Sequence, residues 1–472
     1  MATGTPHIGW ARGDISPLRK TQVKGQFHTR ISSEILTPLT ATALSLEVTG
    51  DNGEPEQAVL LSCDLINDGF KKDLLLALEG RCPGFNPAML TVNCTHTHTA
   101  PSLSRGIYEE PEDDPDFMHA DEYRAFLAGR LAAIVEASWT DRKPGSIARG
   151  FGYAVVGRCR RVVYADGSAQ MYGDSGREDF HGFESCDDHA VNMLFTRDAD
   201  GQLTGMVINL ACPSQCKEHL KAFAADFWHE VRNLISERHG TGIHLLPQCA
   251  PAGDLSPHLL ADQKEEKDLR DRLGVDDEGI IARRIMAALD EGLATASEAQ
   301  DTVTFAHEVQ TWSLPRLRVT KEEYELEKQI RHMAPEELKK QAFMFQRVWP
   351  FGPICELVSR YEQQEENPYH PVESHIIRLG DVVIATNSFE LFVDYGMRIR
   401  CRSKALQTFL VQLADGSGLG SYLPTRRALE GGHYSAVVKS VWVSPEGGQK
   451  LVDNTVAAID SLFRDAAYPR TR

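Results

Sequence analysis

Ala88-Met89-Leu90-Thr91-Val92-Asn93-Cys94-Thr95-His96-Thr97-His98-Thr99-Ala100-Pro101 is the stretch whose reading decides the fold class. Its apolar first half reads as a buried strand. Pro101 has no N–H to give a ladder, so the two histidines stand where a strand gives way to a loop. Alternate residues of an extended chain face one way, which predicts that His96 and His98 converge on one cavity. Two imidazoles on one face suit a metal site, or a metal ligand beside a proton shuttle. Taken alone, the stretch also reads as a solvated polar strand end.

Working outward, residues 57–64 form another apolar strand, and it ends at Asp64. A helix over 70–80 separates it from the histidine strand. Further on, a short strand leads to Gly253-Asp254-Leu255-Ser256-Pro257. A strand over 382–386 runs into Asn387-Ser388-Phe389-Glu390, and one over 408–413 leads towards Tyr422. The pattern predicts an α/β fold: a mixed β-sheet core with flanking helices and the active site at strand ends. Hairpins are expected at 147–172 and 189–211. Asp226 is expected to cap a helix that starts at Phe227 and stops before Gly240. Residues 262–296 and 320–365 are charge-rich and read as helical. The whole chain, 1–472, reads as one catalytic domain with a helical insertion at about 258–365. The glycines of 414–425 lack the Lys-Ser/Thr of a phosphate loop.

Composition sets the class. The 472 residues are 42% hydrophobic and 25% charged, as in a soluble globular protein. A net charge of -17 argues against nucleic acid or an anionic membrane as partner. No run approaches the ~18 apolar residues of a membrane span, and no charged-then-apolar leader opens the chain. The 10 cysteines are scattered, which predicts reduced thiols and a cytoplasmic location. Oligomeric state is not legible.

Several motifs, in order along most of the chain, resemble the neutral/alkaline ceramidase family of zinc amidohydrolases. Ala11-Arg12-Gly13-Asp14-Ile15-Ser16-Pro17 resembles the family's N-terminal strand and turn. Thr95-His96-Thr97-His98-Thr99-Ala100-Pro101 is similar to its Thr-His-Thr-His-Ser-x-Pro motif. Gly253-Asp254-Leu255-Ser256-Pro257 matches Gly-Asp-x-Ser-Pro, and Phe389-Glu390-Leu391-Phe392 resembles Gly-Glu-Pro-Phe. Tyr422 and Tyr434 resemble its tyrosine pair. The resemblance implies that His96, Glu390 and Tyr422 bind Zn2+ or another divalent metal. It implies that His98 stands beside the metal water, and that Arg160 and Tyr434 hold the substrate carbonyl or its oxyanion. Ser256 matches a serine proposed as a nucleophile in the family, though Ser256 beside Pro257 equally holds a turn.

Two departures qualify the resemblance. The family places a second metal histidine in Asn-x-Ala-x-His-Pro-Thr, and here Asn209-Leu210-Ala211-Cys212-Pro213-Ser214-Gln215 puts Pro213 in its place. Asp226-Phe227-Trp228-His229 follows, and residues i and i+3 share a helix face, so His229 is the expected substitute ligand. Gln215, Glu218 and Cys212 are weaker candidates. The second departure is that the chain reads as a divergent member without the family's C-terminal β domain. With no anchor helix, this points to a small soluble substrate.

The leading expectation is a metal-dependent hydrolase of an amide-like or ester-like bond, with His98 moving the proton. One alternative is a metal-assisted lyase or hydrolase on a sugar-like substrate, for which the acidic loop at 104–116 is suited. The other is a binding protein that has lost catalysis.

Overall fold

The computed structural model describes residues 1–472 except 52, 68, 112, 331–355, 416–420 and 465–472. The glycine-rich turn and the middle of the charged stretch therefore lie outside the described residues. Two sheets carry the architecture. The larger has eight strands in the edge-to-edge order His244–Cys249, Leu203–Leu210, Ala190–Asp198, Lys143–Tyr153, His7–Asp14, Thr40–Thr49, Pro55–Cys63 and Leu90–Cys94. The smaller has five: Ala2–Gly4, Val303–Pro315, Tyr369–Leu379, Val382–Thr386 and Gln407–Val411.

Strand alternation divides the apolar residues among four layers. Leu44, Leu46 and Leu60 of the large sheet meet Phe305, Ile377, Ile384 and Phe409 of the small one in a core between the sheets. Their strand neighbours turn the other way. Ala41, Ala43, Val59 and Leu61 pack under the helix Ala120–Thr140, which buries Tyr123, Leu127, Leu131, Val135 and Trp139. Val191, Met193, Met206 and Ile208 lie under the helices Phe227–His239 and Asp277–Ala294. On the far side, Ile376, Val383 and Leu410 pack beneath the helices Val393–Arg402 and Pro445–Leu462. The order is thus helices, sheet, sheet, helices. Each fully buried Leu, Ile or Phe contributes about 1.5–3 kcal/mol of transfer free energy. Among the described residues no helix is long and apolar enough to cross a membrane.

The large sheet curls until its two edge strands meet. Ser62 Oγ and Asn93 Nδ2 donate to the Pro247 carbonyl across that join, at 2.5 and 3.1 Å. Most pairings in both sheets are antiparallel. The parallel ones are Pro55–Cys63 with Leu90–Cys94, Leu203–Leu210 with His244–Cys249, and Val382–Thr386 with Gln407–Val411. Parallel neighbours end on the same side, and the chain leaving these ends carries His96, Gln215, Asp254, Glu390 and Asp415.

The expected hairpin at 189–211 is the antiparallel pair Ala190–Asp198 and Leu203–Leu210. Asp226 Oδ1 accepts from the Phe227 N–H at 3.0 Å, and the helix ends before Gly240. Two expectations change. Residues 147–172 do not form one hairpin: Lys143–Tyr153 joins the large sheet, while Arg161–Tyr164 and Ala169–Met171 pair separately. The stretch 258–365 is not helical throughout, because Val303–Pro315 is a long strand of the small sheet. Its alternation of buried and open positions is masked in the sequence by flanking charged helices.

Candidate metal centre and active site

His96 and His98 do converge, but not by strand alternation. The strand ends at Cys94, and His96 takes a left-handed backbone, φ 61°. That conformation is costly for a residue with a Cβ, and such strain gathers at functional sites. It folds the chain back so that the two rings lie edge to face with centroids 4.9 Å apart. Gly25, φ +119°, makes room: a Cβ there would meet the His98 Cβ at 2.5 Å. Arg30 Nη2 then fixes the turn by donating to the carbonyls of His98 and Lys24.

The hydrogen bonds assign the ring nitrogens. His96 Nδ1 lies 2.8 Å from the Ile66 carbonyl, which can only accept. The proton is therefore on Nδ1, and Nε2 presents a lone pair. That lone pair faces His98 Nε2 at 3.3 Å and Glu390 Oε2 at 3.5 Å. His98 Nδ1 faces the Glu218 carboxylate at 3.2 Å, and its Nε2 accepts from Gln215 Nε2 at 2.8 Å. Burial pushes His98 down to about 4, against its hydrogen bond to Glu218. Burial likewise lowers His96, opposed by the Glu390 charge. Both rings are neutral near pH 7, so both Nε2 atoms are acceptors.

Glu390 begins the short strand Glu390–Leu391, which pairs in parallel with Tyr422–Leu423, so Glu390 and Tyr422 lie side by side. Burial, then the Glu390 charge, raises Tyr422 well above an ordinary phenol. A Cβ on Gly253 would meet the Glu390 carbonyl at 2.3 Å, so glycine there lets the two segments touch. Arg160 spans this side. It donates to Tyr172 Oη and the Gly253 carbonyl, both at 2.9 Å, and lies 3.5 Å from Tyr422 Oη and 3.9 Å from Glu390 Oε2. Burial would lower its pKa; Tyr172, Tyr422, Tyr434 and Glu390 outweigh that and hold it firmly charged. Its Nε–H is buried and has no hydrogen-bond partner. Tyr434 closes the ring, with centroids 6.2 Å from Tyr422 and 6.0 Å from Phe27.

Glu218 links the centre to the surface. It takes His98 on one oxygen and His258 Nε2, at 3.1 Å, on the other. Burial opposes its ionisation, but the hydrogen bonds of His258 and His98 prevail and hold it well below the usual carboxylate range.

Ser256 Oγ accepts from Tyr172 Oη at 3.2 Å and from the His258 N–H at 3.1 Å. These are the bonds of a serine that holds a turn. Asp254 is structural too: it receives the Val393 N–H at 2.8 Å and fixes the start of the helix below Glu390.

The structure thus brings His96, His98, Arg160, Glu390, Tyr422 and Tyr434 together. It does not bring His229 to them. Asp226 turns back to cap Phe227 and Lys217, and the charges acting on the half-buried His229 ring are Glu230, Arg232 and Asp64. The place beside His98 is taken by Gln215 instead. Tyr172, in a left-handed backbone at φ 53°, and His258 carried no motif that marked them.

The donor set fits a divalent cation. The buried His96 Nε2 lone pair faces the Glu390 carboxylate with no proton donor between, which is repulsive until a cation is shared. The 3.5 Å spacing of His96 Nε2 and Glu390 Oε2 is close to the edge of a tetrahedral zinc site, about 3.3–3.4 Å for bonds of about 2.0–2.1 Å.

A second cluster went unread in the sequence. Glu373, His375 and Asp415 have donor atoms within 4.8 Å of one another, a spacing a metal ion tolerates. Here Lys71 Nζ already occupies the space, 2.8 Å from Glu373 Oε1 and 2.6 Å from Asp415 Oδ1. Asp415 also accepts from the Val92 N–H, Thr91 Oγ1 and Thr386 Oγ1, at 3.0, 2.6 and 2.9 Å. Four donors fill a carboxylate. The available signal was Glu373-Ser374-His375, two ligating residues on one face of a strand, the same spacing as His96 and His98.

No protein-family model matches the chain, and no curated protein matches it closely enough to count. Solved structures do. A ceramidase complexed with C2 superposes with a TM-score of 0.65 at 16% identity, covering 99% of this chain and 77% of that one. Neutral ceramidase from Pseudomonas aeruginosa gives 0.64 at 16% identity, covering 99% and 76%. The chain therefore has a ceramidase-like α/β fold along nearly all its length.

Proposed function

We propose that this protein is a metal-dependent hydrolase of an acyl amide or ester, with a divalent cation, zinc by preference, held by His96, Glu390 and Tyr422. The observation that carries the reading is the buried His96 Nε2 lone pair facing only other acceptors. A bound divalent cation supplies Lewis acidity and makes water nucleophilic near neutral pH. The chain's own residues do the rest. Arg160, with an unspent buried Nε–H, and the Tyr434 hydroxyl orient the substrate carbonyl and offset charge as it grows on oxygen. His98, with Glu218 behind its Nδ1, takes the proton at Nε2 in place of the Gln215 N–H that this nitrogen accepts. Glu218 and the partly exposed His258 lead that proton outward. Ser256 stays a turn residue.

The neighbouring folds bear the name ceramidase, which supports an acyl-amide, lipid-like substrate over a sugar-like one. The test is metal analysis with product analysis in ¹⁸O-water. Wild type should hold about one divalent ion per chain, His96→Ala and Glu390→Ala much less, and the product acid from a short N-acyl amide should carry ¹⁸O. Equal metal in all three proteins sinks the site, and an absorbing double bond in the product sinks hydrolysis.

A further inference from the structure

Behind the catalytic strand ends lies a buried group of charges whose protonation is fixed by its hydrogen-bond chain. His307 Nδ1 is 2.8 Å from the Gln57 carbonyl, which can only accept, so Nδ1 carries the proton and His307 Nε2 is a lone pair. His375 Nδ1 lies 2.8 Å from that lone pair, so it must be the donor. The other nitrogen, His375 Nε2, faces only carboxylate oxygens: Glu373 Oε1 at 3.3 Å and Asp415 Oδ2 at 3.7 Å. A lone pair there would oppose two anions inside a fully buried ring. Among the described residues Lys71 is the one other cation in contact with these two carboxylates, which would otherwise exceed the positive charge present.

We propose that His375 is a buried, doubly protonated imidazolium and that, with Lys71, Asp415 and Glu373, it forms a four-charge clamp that positions the metal-binding loops. Resting on the metal reading above, the positioning half follows from what Asp415 touches. Thr91 and Val92 belong to the strand leading to His96. Thr386 ends the strand leading to Glu390, and its hydroxyl also accepts the His375 backbone N–H at 2.9 Å. Asp415 itself lies on the path to Tyr422. One carboxylate therefore joins the three chain segments that bring the metal ligands together, and the cations on either side keep it ionised. Burial alone would raise Asp415; His375 and Lys71 instead hold it at about 2. Burial, reinforced by the His375 charge, pushes His307 down to about 3, so His307 is the neutral member. Glu56, which accepts the His307 backbone N–H and pairs with the N-terminal amine, is the remaining charge on that side. His375 is thus a positioning residue that acts through Asp415.

The experiment has two arms. Protein labelled with ¹⁵N-histidine, read by long-range ¹H–¹⁵N correlation at pH 7.5, should show one buried ring with both nitrogens protonated. That signal should vanish in His375→Gln and persist, shifted, in His307→Gln. If His375 shows one unprotonated nitrogen in wild type, the clamp is overturned whatever the variants do. Competition with a chelator is the second arm: His375→Gln and Asp415→Asn should weaken metal binding by about ten- to a hundredfold, as loss of supporting groups does, with His96 and Glu390 intact. Unchanged affinity in both variants overturns the positioning role. Wild type that binds no metal at all refutes the metal reading instead, and leaves the ¹⁵N result to stand or fall alone.

Discussion

Replacing Arg161 by methionine removes the cation that holds the tyrosine side of the centre. The guanidinium is fully buried and spends its donors on Glu184 Oε2 (2.6 Å), Glu184 Oε1 (3.0 Å), Ser435 Oγ (2.9 Å), Gly432 O (2.9 Å) and Ala428 O (3.2 Å). These bonds tie the strand next to Arg160 to the segment that carries Tyr434. Methionine fills much of the volume but leaves Glu184, 4% exposed, as an unpaired buried acid. Breaking a buried pair from one side costs about 3–5 kcal/mol. Equilibrium urea denaturation should register that loss as a lower midpoint with an unchanged slope. The double variant Arg161→Met with Glu184→Gln leaves neither charge stranded, so it should recover at least ~1 kcal/mol of the single loss. Arg161→Met within about 1 kcal/mol of wild type refutes the argument. So does a double variant whose loss equals or exceeds the sum of the single losses.

Gly253→Ala should drive a Cβ to 2.3 Å from the Glu390 carbonyl and weaken metal binding by about tenfold or more, read by chelator competition; wild-type affinity would detach Gly253 from the centre. Ser256→Ala should keep turnover within about tenfold, because its hydroxyl holds a turn; a loss of about a millionfold, the scale seen when a nucleophile is removed, would make Ser256 the nucleophile. Burial lifts Asp254 from 3.8 to about 6, so the folded protein keeps this proton longer than the unfolded chain. The resulting stability is full below about pH 4 and is lost as pH rises through about 6, and Asp254→Asn should flatten that part of the urea-midpoint profile; equal slopes in the two proteins would refute it.

Much of the fold was legible because each strand is a short apolar run that stops at a polar residue with chemistry to do. His96, Glu390 and Tyr422 each follow such a run along the chain, and that pattern survives without knowing how the strands pair. What was not legible is long-range. The two-sheet stack depends on Ile376 and Ile377 facing different cores, which no local window reveals. Val303–Pro315 was lost among charged helices that flank it. His229 was preferred by helix periodicity, which is correct for the helix but says nothing of where its N-terminus points. Gln215 won that place because the loop after Leu210 turns it towards His98. The convergence of the histidines was foreseen for the wrong reason: a left-handed His96 does it, and backbone strain at a non-glycine residue leaves no mark in a sequence.

The join between the two edges of the large sheet has a consequence for how the protein fails. An unpaired edge strand is a template on which other chains add, and aggregation begins there. In His244–Cys249, Pro247 removes one ladder donor, and its carbonyl is already engaged by Asn93 of the opposite edge strand and by Ser62 of the strand beside it. Side chains from the far end of the sheet thus cover part of this edge, while the edge Leu90–Cys94 is covered by Ala414 and Asp415. Any change that slackens Asn93, three residues before His96, loosens the cover on His244–Cys249, so damage near the histidine pair should surface as self-association while most of the fold still stands.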